Sequence, residues 1–310
     1  MDLRQLEMFR CVAEEGTFSR AAERLRVSQS AVSRQVKLLE DELGGRLLHR
    51  GARKVTLSSA GELLLRTTHR VNRELEEAVS QISDTHELRR GSLCLAGGMT
   101  VCMLILPRVL KRYRKLYPQV ELRVISGHSE EILRKLRARE VDLALLTLPI
   151  AAGDLEVSPV LKEEMVVVTA PGHPLSRLRS VDPSRLGQFP LILYESGSNT
   201  RRVLDAFFVE EGVATRVVME TENVEIIKAM VAAGLGVTIV PYAAVARDVR
   251  TQRRLAFARL KGRRLFRETG WVYLKSDHVQ RAVSELTRVF ESMRSQFGGK
   301  LPTGGQAGGR

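Results

Sequence analysis

Three kinds of apolar periodicity follow one another along the chain. Up to about residue 43 the apolar positions recur at the spacing of short helices, and from about 58 to 88 they fit one long helix. Beyond residue 91, strand-like and helix-like segments alternate. We therefore expect an N-terminal helical domain over 1–58, a linker helix over 59–88, a larger domain over 91–297 and a glycine-rich, disordered tail over 298–310.

The predicted linker helix carries one apolar stripe. Its members recur every three or four residues: Ala60, Leu64, Thr67, Val71, Leu75, Ala78 and Ile82. A single exposed helix cannot bury such a stripe, so we expect the chain to form a homodimer through residues 58–88. The alternative is that the stripe packs against its own domain.

The larger domain has the pattern of an α/β fold. Apolar runs LCLA, VELRVI, VDLALL, MVVVTA, PLILY and VTIVP alternate with helical patterns at 102–116, 129–139, 201–211 and 224–233. This alternation predicts mainly parallel strands. Residues 229–246 carry no charge over nearly the length of a membrane span, but Gly234, Gly236 and Pro241 interrupt them. We interpret this segment as buried core and expect no membrane partner.

Composition favours a polyanionic partner and a reducing compartment. The formal net charge is +13 and the sequence pI ≈ 10.1, although a basic surface that only keeps the protein soluble is the alternative. Cys11, Cys94 and Cys102 form neither a disulfide framework nor a metal-ligand spacing. The charged N-terminus lacks the apolar core of a signal peptide. These features predict a cytoplasmic protein.

Residues 18–44 have the pattern of a helix-turn-helix. The segment divides into a short helix, a tight turn around Arg26 and Val27, and a second helix that Ser28 caps. One face of the second helix is apolar and is expected in the core: Val32, Val36, Leu39 and Leu43. The opposite face is polar and cationic, with Gln29, Ser30, Ser33, Arg34 and Lys37. Such side chains can reach base edges or phosphates, although an ordinary solvated face fits the same pattern.

The run AAERLRVSQSAVSRQVKLLEDELG resembles the signature of LysR-type transcription regulators, and the match continues through GRLLHRGARKVTLSSAG at 45–61. The resemblance implies a winged helix-turn-helix that binds double-stranded promoter DNA, with the wing over 46–57. Leu48 and Ser58 stand where the family more often has Phe and Thr, which bears on packing and capping. The same resemblance places Arg50, Arg53 and Lys54 of the wing beside the phosphates or the minor groove. We expect Arg34 and Gln29 to read bases and a second set to position the DNA backbone: Ser19, Arg20, Ser33, Lys37 and Arg53.

The resemblance extends more loosely over residues 91–297. It implies an effector domain similar to periplasmic binding proteins, in which two α/β lobes enclose a ligand cleft and are joined by crossing strands near 161–168 and 265–271. Lobe I would comprise about 91–162 and 269–297, and lobe II about 163–268. The family further implies a bacterial cytoplasmic regulator that forms a homotetramer and, if it is an activator, contacts RNA polymerase.

Three loops fall beyond the carboxyl ends of predicted strands, where open α/β sheets bind ligands. They follow LCLAGG, VISG and PLILY, and the third runs from Glu195 to Arg201 and opens a helix with no acid before Asp205. A helix start with cations and no carboxylate suits an anion, although simple helix capping accounts for the same residues. We expect a small carboxylate or other anionic effector to contact Thr100, Ser129, Ser196, Ser198, Asn199, Thr200, Arg201 and Asn223.

The sequence motifs give other functions less support. The chain has no G-x-S-x-G elbow, P-loop or H-E-x-x-H sequence, and Gly234-Leu235-Gly236 lacks the third glycine of a dinucleotide loop. We therefore predict no enzyme activity, no cofactor and no metal. A binding protein without a regulatory role is the remaining alternative, and the helix-turn-helix argues against it. A redox role for Cys102 also stays open, and we interpret His128 as a histidine of a capped loop.

Overall fold

The computed structural model describes residues 1–51, 54–82, 91–249, 254–275 and 279–297. The predicted tail over 298–310 and the predicted end of the linker helix beyond residue 82 lie outside the described residues. The chain forms two compact units, of which one takes in Met1–His86 and the other almost all of the rest. Among the described helices, none combines the length and the apolar character that crossing a membrane requires.

The first unit is a winged helix-turn-helix. Its elements are α1 (Leu3–Glu15), α2 (Phe18–Leu25), α3 (Gln29–Leu43), β1 (Leu48–Arg50), β2 (Val55–Leu57) and α4 (Ser59–Ile82). The two strands pair antiparallel as a hairpin. Each helix begins after a residue whose side chain accepts a backbone N–H: Asp2, Thr17, Ser28 and Ser58. Arg26 takes the left-handed conformation, with φ 55°, at the predicted turn between α2 and α3.

One apolar core holds α1, α2 and α3 together. Phe9 of α1 and Val32 and Val36 of α3 are fully buried in it. Leu43, which we expected in the same core, is 46% exposed, so that prediction is wrong. It is the last residue of α3, where Gly44 adopts the left-handed conformation and turns the chain away.

The apolar stripe of α4 is only partly covered. Leu64, near the start of the helix, packs against the core of the first unit. Gly61 permits this close approach, because a Cβ at this position would lie 2.1 Å from the Leu47 carbonyl oxygen. Leu63 and Leu75 are 61% and 43% exposed in the single chain. The stripe therefore contacts its own domain at one end and leaves Leu75 uncovered further along, while Leu63 lies exposed beside the stripe.

The second unit is an α/β domain. Its strands are β3 (Gly91–Gly97), β4 (Val120–Ser126), β5 (Leu143–Thr147), β6 (Leu155–Thr169), β7 (Ser180–Val181), β8 (Pro190–Leu193), β9 (Arg216–Glu220), β10 (Thr238–Pro241), β11 (Ala256–Leu260) and β12 (Phe266–Leu274). Its helices are α5 (Met99–Leu104), α6 (Leu106–Leu116), α7 (Ser129–Arg137), α8 (Asn199–Glu210), α9 (Val224–Ala232), α10 (Tyr242–Arg247) and α11 (Arg281–Met293). The single helix expected over 102–116 is divided into α5 and α6, because Pro107 has no N–H to continue α5.

Two long strands join the two lobes of this domain. In the main sheet the order is β4-β3-β5-β12-β6-β11-β7, with β10 also paired to β6, and β8 pairs with β9 separately. The pairs β3–β4, β3–β5 and β8–β9 are parallel, whereas β6 and β12 run antiparallel to each other. β6 contributes Leu161 to the apolar core of lobe I and Val166 to that of lobe II. The expected two-lobed fold with crossing strands is therefore confirmed.

Candidate functional site

The predicted DNA-contacting face of α3 points to solvent. Gln29, Ser30, Arg34 and Lys37 are exposed and Ser33 is half-buried, whereas the opposite face is buried in the core. Ser19 and Arg20, at the start of α2, are exposed as well. Lys54 is exposed beside β2, while Arg53 and the side chain of Arg50 lie outside the described residues. The structure thus presents a continuous polar and cationic helix face.

A cleft lies in the second unit where strand ends and helix starts meet. Its free volume is about 430 Å³, part of it open to solvent. The wall comes from the segments after β3, after β4 and before α8, and from single residues of other elements: Gly98, Met99, Thr100, Val101, Gly127, His128, Ser129, Thr147, Tyr194, Ser198, Asn199, Thr200, Glu222 and Arg267. This location beyond the carboxyl ends of parallel strands is the one that the fold favours for ligands.

Polar contacts connect the two lobes across this cleft. The Asn199 side-chain amide of lobe II donates to the Thr147 carbonyl oxygen of lobe I at 2.7 Å. The Thr200 and Thr147 hydroxyl oxygens lie 3.4 Å apart. At the start of α8, the Ser198 hydroxyl accepts the Arg201 backbone N–H at 3.2 Å. These small polar side chains therefore cap α8 and hold the lobes together at once.

The floor of the cleft holds a buried ion pair and a buried hydroxyl. Arg267 of β12 donates to Glu163 of β6 at 2.6 and 3.2 Å, and both side chains are at most 3% exposed. The Tyr194 hydroxyl is buried and has no hydrogen-bond partner of good geometry among the described residues, although the Thr100 side chain interacts with it. Burial raises the pKa of Tyr194 to about 12, so the hydroxyl stays protonated and can donate to a ligand.

The structure brings five of the predicted effector residues into the wall of the cleft: Thr100, Ser129, Ser198, Asn199 and Thr200. It does not bring Ser196, Arg201 and Asn223 there. Arg201 instead pairs with Asp205 and Glu220, each at 2.7 Å. The backbone N–H of Ser196 donates to Glu220, and Asn223 caps α9. The carboxylate absent from the first turn of α8 is thus supplied by Glu220, at the end of β9.

Sequence reasoning missed several residues of the wall, notably Thr147, Tyr194, Glu222 and Arg267. A signal existed for Arg267, because it is a lone cation inside the predicted crossing strand. Tyr194 ends the apolar run PLILY, where a strand opens into the cleft. For Thr147, at the end of β5, and for Glu222, in a loop, no local pattern marks a role in the cleft.

His128 lines this cleft, and Cys102 lies near Glu222 of its wall. Burial, together with the nearby Glu222 carboxylate, raises the pKa of the Cys102 thiol to about 11. Such a thiol is protonated at neutral pH, which does not favour the redox alternative. His128, Glu195 and Glu222 bring one nitrogen and two carboxylate oxygens within 4.8 Å of one another. Of the described residues, these three have the donor set of a metal site.

Two family models match consecutive parts of the chain. The bacterial regulatory helix-turn-helix of the lysR family matches residues 3–62, and the LysR substrate binding domain matches residues 86–294. The RuBisCO operon transcriptional regulator of Allochromatium vinosum is 32% identical over 82% of this chain and 83% of its own length. The transcriptional activator CmpR of Synechocystis is 34% identical over 76% of this chain and 78% of its own length. Both relatives are named as transcription regulators and neither as an enzyme.

Solved structures agree with this assignment. A full-length OxyR variant from Pseudomonas aeruginosa has a TM-score of 0.74 and 26% identity, and the match covers 94% of this chain and 95% of that one. CbnR in complex with its target DNA has a TM-score of 0.69 over 94% of this chain and 99% of that one, and at 23% identity it supports the fold alone. The chain therefore belongs to the LysR family of DNA-binding transcription regulators, with an N-terminal helix-turn-helix and a C-terminal effector-binding domain.

Proposed function

We propose that this chain binds promoter DNA through α3 and the wing, and that a small anionic effector in the cleft controls that binding. The observation that carries the effector part is the convergence on one cleft of two helix N-termini, a buried cation and the buried Tyr194 hydroxyl, which has no partner of good geometry among the described residues. The DNA part rests on the exposed polar face of α3, which lies opposite its buried face.

In the proposed DNA complex, Arg34 and Gln29 read base edges from the major groove. An arginine can donate two hydrogen bonds to guanine, and a glutamine can pair with adenine. Ser30 borders this reading face, and the phosphate contacts come from side chains around it: Ser19, Arg20, Ser33, Lys37, Arg50, Arg53 and Lys54. The names of the two relatives as transcription regulators support this assignment.

The DNA part is tested by gel shift on the promoter DNA upstream of the chain's own gene. We expect Arg34→Ala to weaken binding by about 1–3 kcal/mol and to relax base preference. Arg112→Ala is the matched control, because it removes the same charge from the exposed surface of α6 in the other unit. If the affinity and the base preference of Arg34→Ala were unchanged, Arg34 would not be a base-reading residue.

The effector is proposed to be an anion because the cleft is rich in hydrogen-bond donors. The N-termini of α7 and α8 direct backbone N–H groups and positive dipole ends toward it. Tyr194 adds a protonated hydroxyl, and Arg267 adds a cation on the floor. Because Glu163 already neutralises Arg267, the helix termini and hydroxyls provide most of the anion affinity.

The effector part is tested by calorimetry and thermal shift with small carboxylates and the corresponding neutral amides. We expect carboxylates alone to bind and to raise the melting temperature. Tyr194→Phe removes only a hydroxyl and should lower the affinity about tenfold or more, as the loss of a hydrogen bond to a charged group does. Tyr273→Phe, outside the cleft wall, is the control. Binding of neutral sugars or cations alone would contradict an anionic effector.

The proposed regulator is a homodimer through residues 58–88 and forms a homotetramer, with RNA polymerase as partner if it activates. The exposed Leu75 supports a partner helix on the apolar stripe of α4, because a second copy would cover it. Leu75→Glu places a charge in this interface and should lower the sedimentation coefficient, because the dimer dissociates. An unchanged sedimentation coefficient would mean that the dimer interface lies elsewhere than on this stripe.

A further inference from the structure

Three side chains with metal-ligand chemistry meet at the cleft, and they come from both lobes. His128 follows β4 in lobe I, whereas Glu195 and Glu222 follow β8 and β9 in lobe II. The His128 Nε2 atom lies 3.6 Å from a Glu195 carboxylate oxygen and 3.9 Å from a Glu222 carboxylate oxygen. His128 and Glu222 also line the cleft, so the cluster borders the space in which a ligand would bind.

The spacing of these atoms is close to that of a metal site. In a tetrahedral zinc site with bonds of about 2.0–2.1 Å, neighbouring ligand atoms lie about 3.3–3.4 Å apart. The two histidine–carboxylate distances exceed this value by about 0.2–0.6 Å, and all three ligand atoms lie within 4.8 Å of one another. The side chains are 27–51% exposed and can close that gap by small rotations. One imidazole and two carboxylates suit first-row divalent cations such as Zn²⁺ and Mn²⁺.

The charge balance of the cluster also favours a cation. Within the described part of the chain, His128 is the sole ion-pair partner of Glu195 and of Glu222. One imidazole neutralises at most one carboxylate, so the cluster keeps negative charge beside a cleft that we assign to an anion. A divalent cation removes this conflict, because it neutralises both carboxylates and leaves coordination positions open toward the cleft.

A second observation points to a bound ligand in the same cleft. Tyr194 belongs to the cleft wall and is 2% exposed, and apart from its interaction with the Thr100 side chain its buried hydroxyl has no hydrogen-bond partner of good geometry among the described residues. Tyr194 lines the cleft together with His128 and Glu222, so its hydroxyl and the cluster border the same space. A buried polar group without a partner is costly, and a ligand or its coordinated oxygen would satisfy it.

We propose that the cleft binds one first-row divalent cation through His128, Glu195 and Glu222. Because the ligands come from both lobes, the bound cation connects lobe I to lobe II and favours the closed arrangement. The site goes beyond the proposed anionic effector, and cation binding does not require that the anion be bound.

The test uses the untagged full-length protein, stripped of metal by dialysis against EDTA. Equilibrium dialysis with MnCl2 and with ZnCl2, followed by elemental analysis, should give one ion per chain. His128→Gln and Glu222→Gln should each weaken this binding at least about tenfold. His49→Gln and Glu211→Gln are matched controls, because both residues are exposed and lie outside the cluster. Cys102→Ser should also bind one ion, which excludes the neighbouring thiol as the ligand.

Circular dichroism checks that each variant is folded before binding is measured. Absence of stoichiometric binding to the wild-type protein would overturn the site, and so would binding that is unchanged in both cleft variants. The second result would mean an adventitious ion only. A carboxylate titration on the metal-free protein is run in parallel. Carboxylate binding without cation binding would contradict this site alone, whereas cation binding without any carboxylate binding would contradict the anionic effector alone.

Discussion

The buried pair of Glu163 and Arg267 predicts a large loss of stability when one partner is removed. Arg267 makes two hydrogen bonds to a single Glu163 oxygen, and both side chains are almost inaccessible to solvent. Glu163→Met leaves the guanidinium without a counter-charge, which costs about 3–5 kcal/mol in buried pairs. Because Arg267 borders the cleft and water can reach its rim, we expect the lower end of this range, about 3 kcal/mol.

Tryptophan fluorescence measures this loss in the effector domain selectively. Trp271 is the single tryptophan of the chain, lies on the same strand as Arg267 and is 3% exposed. In urea, a slope of about 2–3 kcal/mol per molar converts 3 kcal/mol into a midpoint lower by about 1–1.5 M. Glu156→Met, an exposed position on the same strand as Glu163, should change stability by less than about 0.5 kcal/mol.

A double-mutant cycle distinguishes the interaction between the two charges from the loss of side-chain packing at each position. Arg267→Met alone leaves the carboxylate uncompensated and should also destabilise, whereas Glu163→Met with Arg267→Met removes both charges and should recover most of the loss. Additive effects of the two substitutions would refute the reasoning, and so would a midpoint shift below about 0.2 M for Glu163→Met.

Two further predictions concern Gly61 and Cys102. Gly61→Ala places a Cβ against the Leu47 carbonyl oxygen and forces a backbone shift. Unfolding followed by circular dichroism should therefore show that the free energy of unfolding of the first unit falls by about 1–3 kcal/mol, while the urea midpoint of Trp271 fluorescence stays unchanged. A change of the Trp271 midpoint instead would contradict this localisation. Because burial raises the pKa of Cys102 to about 11, its thiolate fraction at pH 8 is about 0.1%, and its alkylation rate should rise about tenfold per pH unit up to that pKa. Rapid alkylation at neutral pH, absent in Cys102→Ser, would contradict this pKa.

The parts of the fold that the sequence predicted depend on local rules. Ser28 caps α3 because a serine hydroxyl satisfies a free N–H at a helix start wherever the helix lies. The buried face of α3 follows from residue spacing, and it fails only at Leu43, where the helix ends. The apolar run MVVVTA predicted a strand over the second half of β6. None of these features requires knowledge of a distant residue.

The candidate site was predicted less completely because its chemistry depends on distant partners. Arg201 is adjacent to the expected anion site, yet Glu220 engages it from 19 residues away. Arg267 and Glu163 are 104 residues apart and form a pair only once both crossing strands are in place. His128, Glu195 and Glu222 come from three loops, so no metal-ligand spacing exists in the sequence. Spacing rules detect ligands on one element and cannot detect ligands that the topology assembles.

The contacts across the cleft define how a ligand could act on this domain. Asn199 and Thr200 bind Thr147, and Arg202 pairs with Glu130, so both lobes already touch without a ligand. The Arg202–Glu130 pair is exposed and contributes little, whereas the Asn199 contact is buried. A ligand shifts the lobe arrangement only by the difference between its affinities for the two arrangements. In the proposed complex, groups that contact the ligand from both lobes, such as Thr100 and Ser198, would lose those contacts on opening, so we expect ligand occupancy to change the lobe arrangement through them.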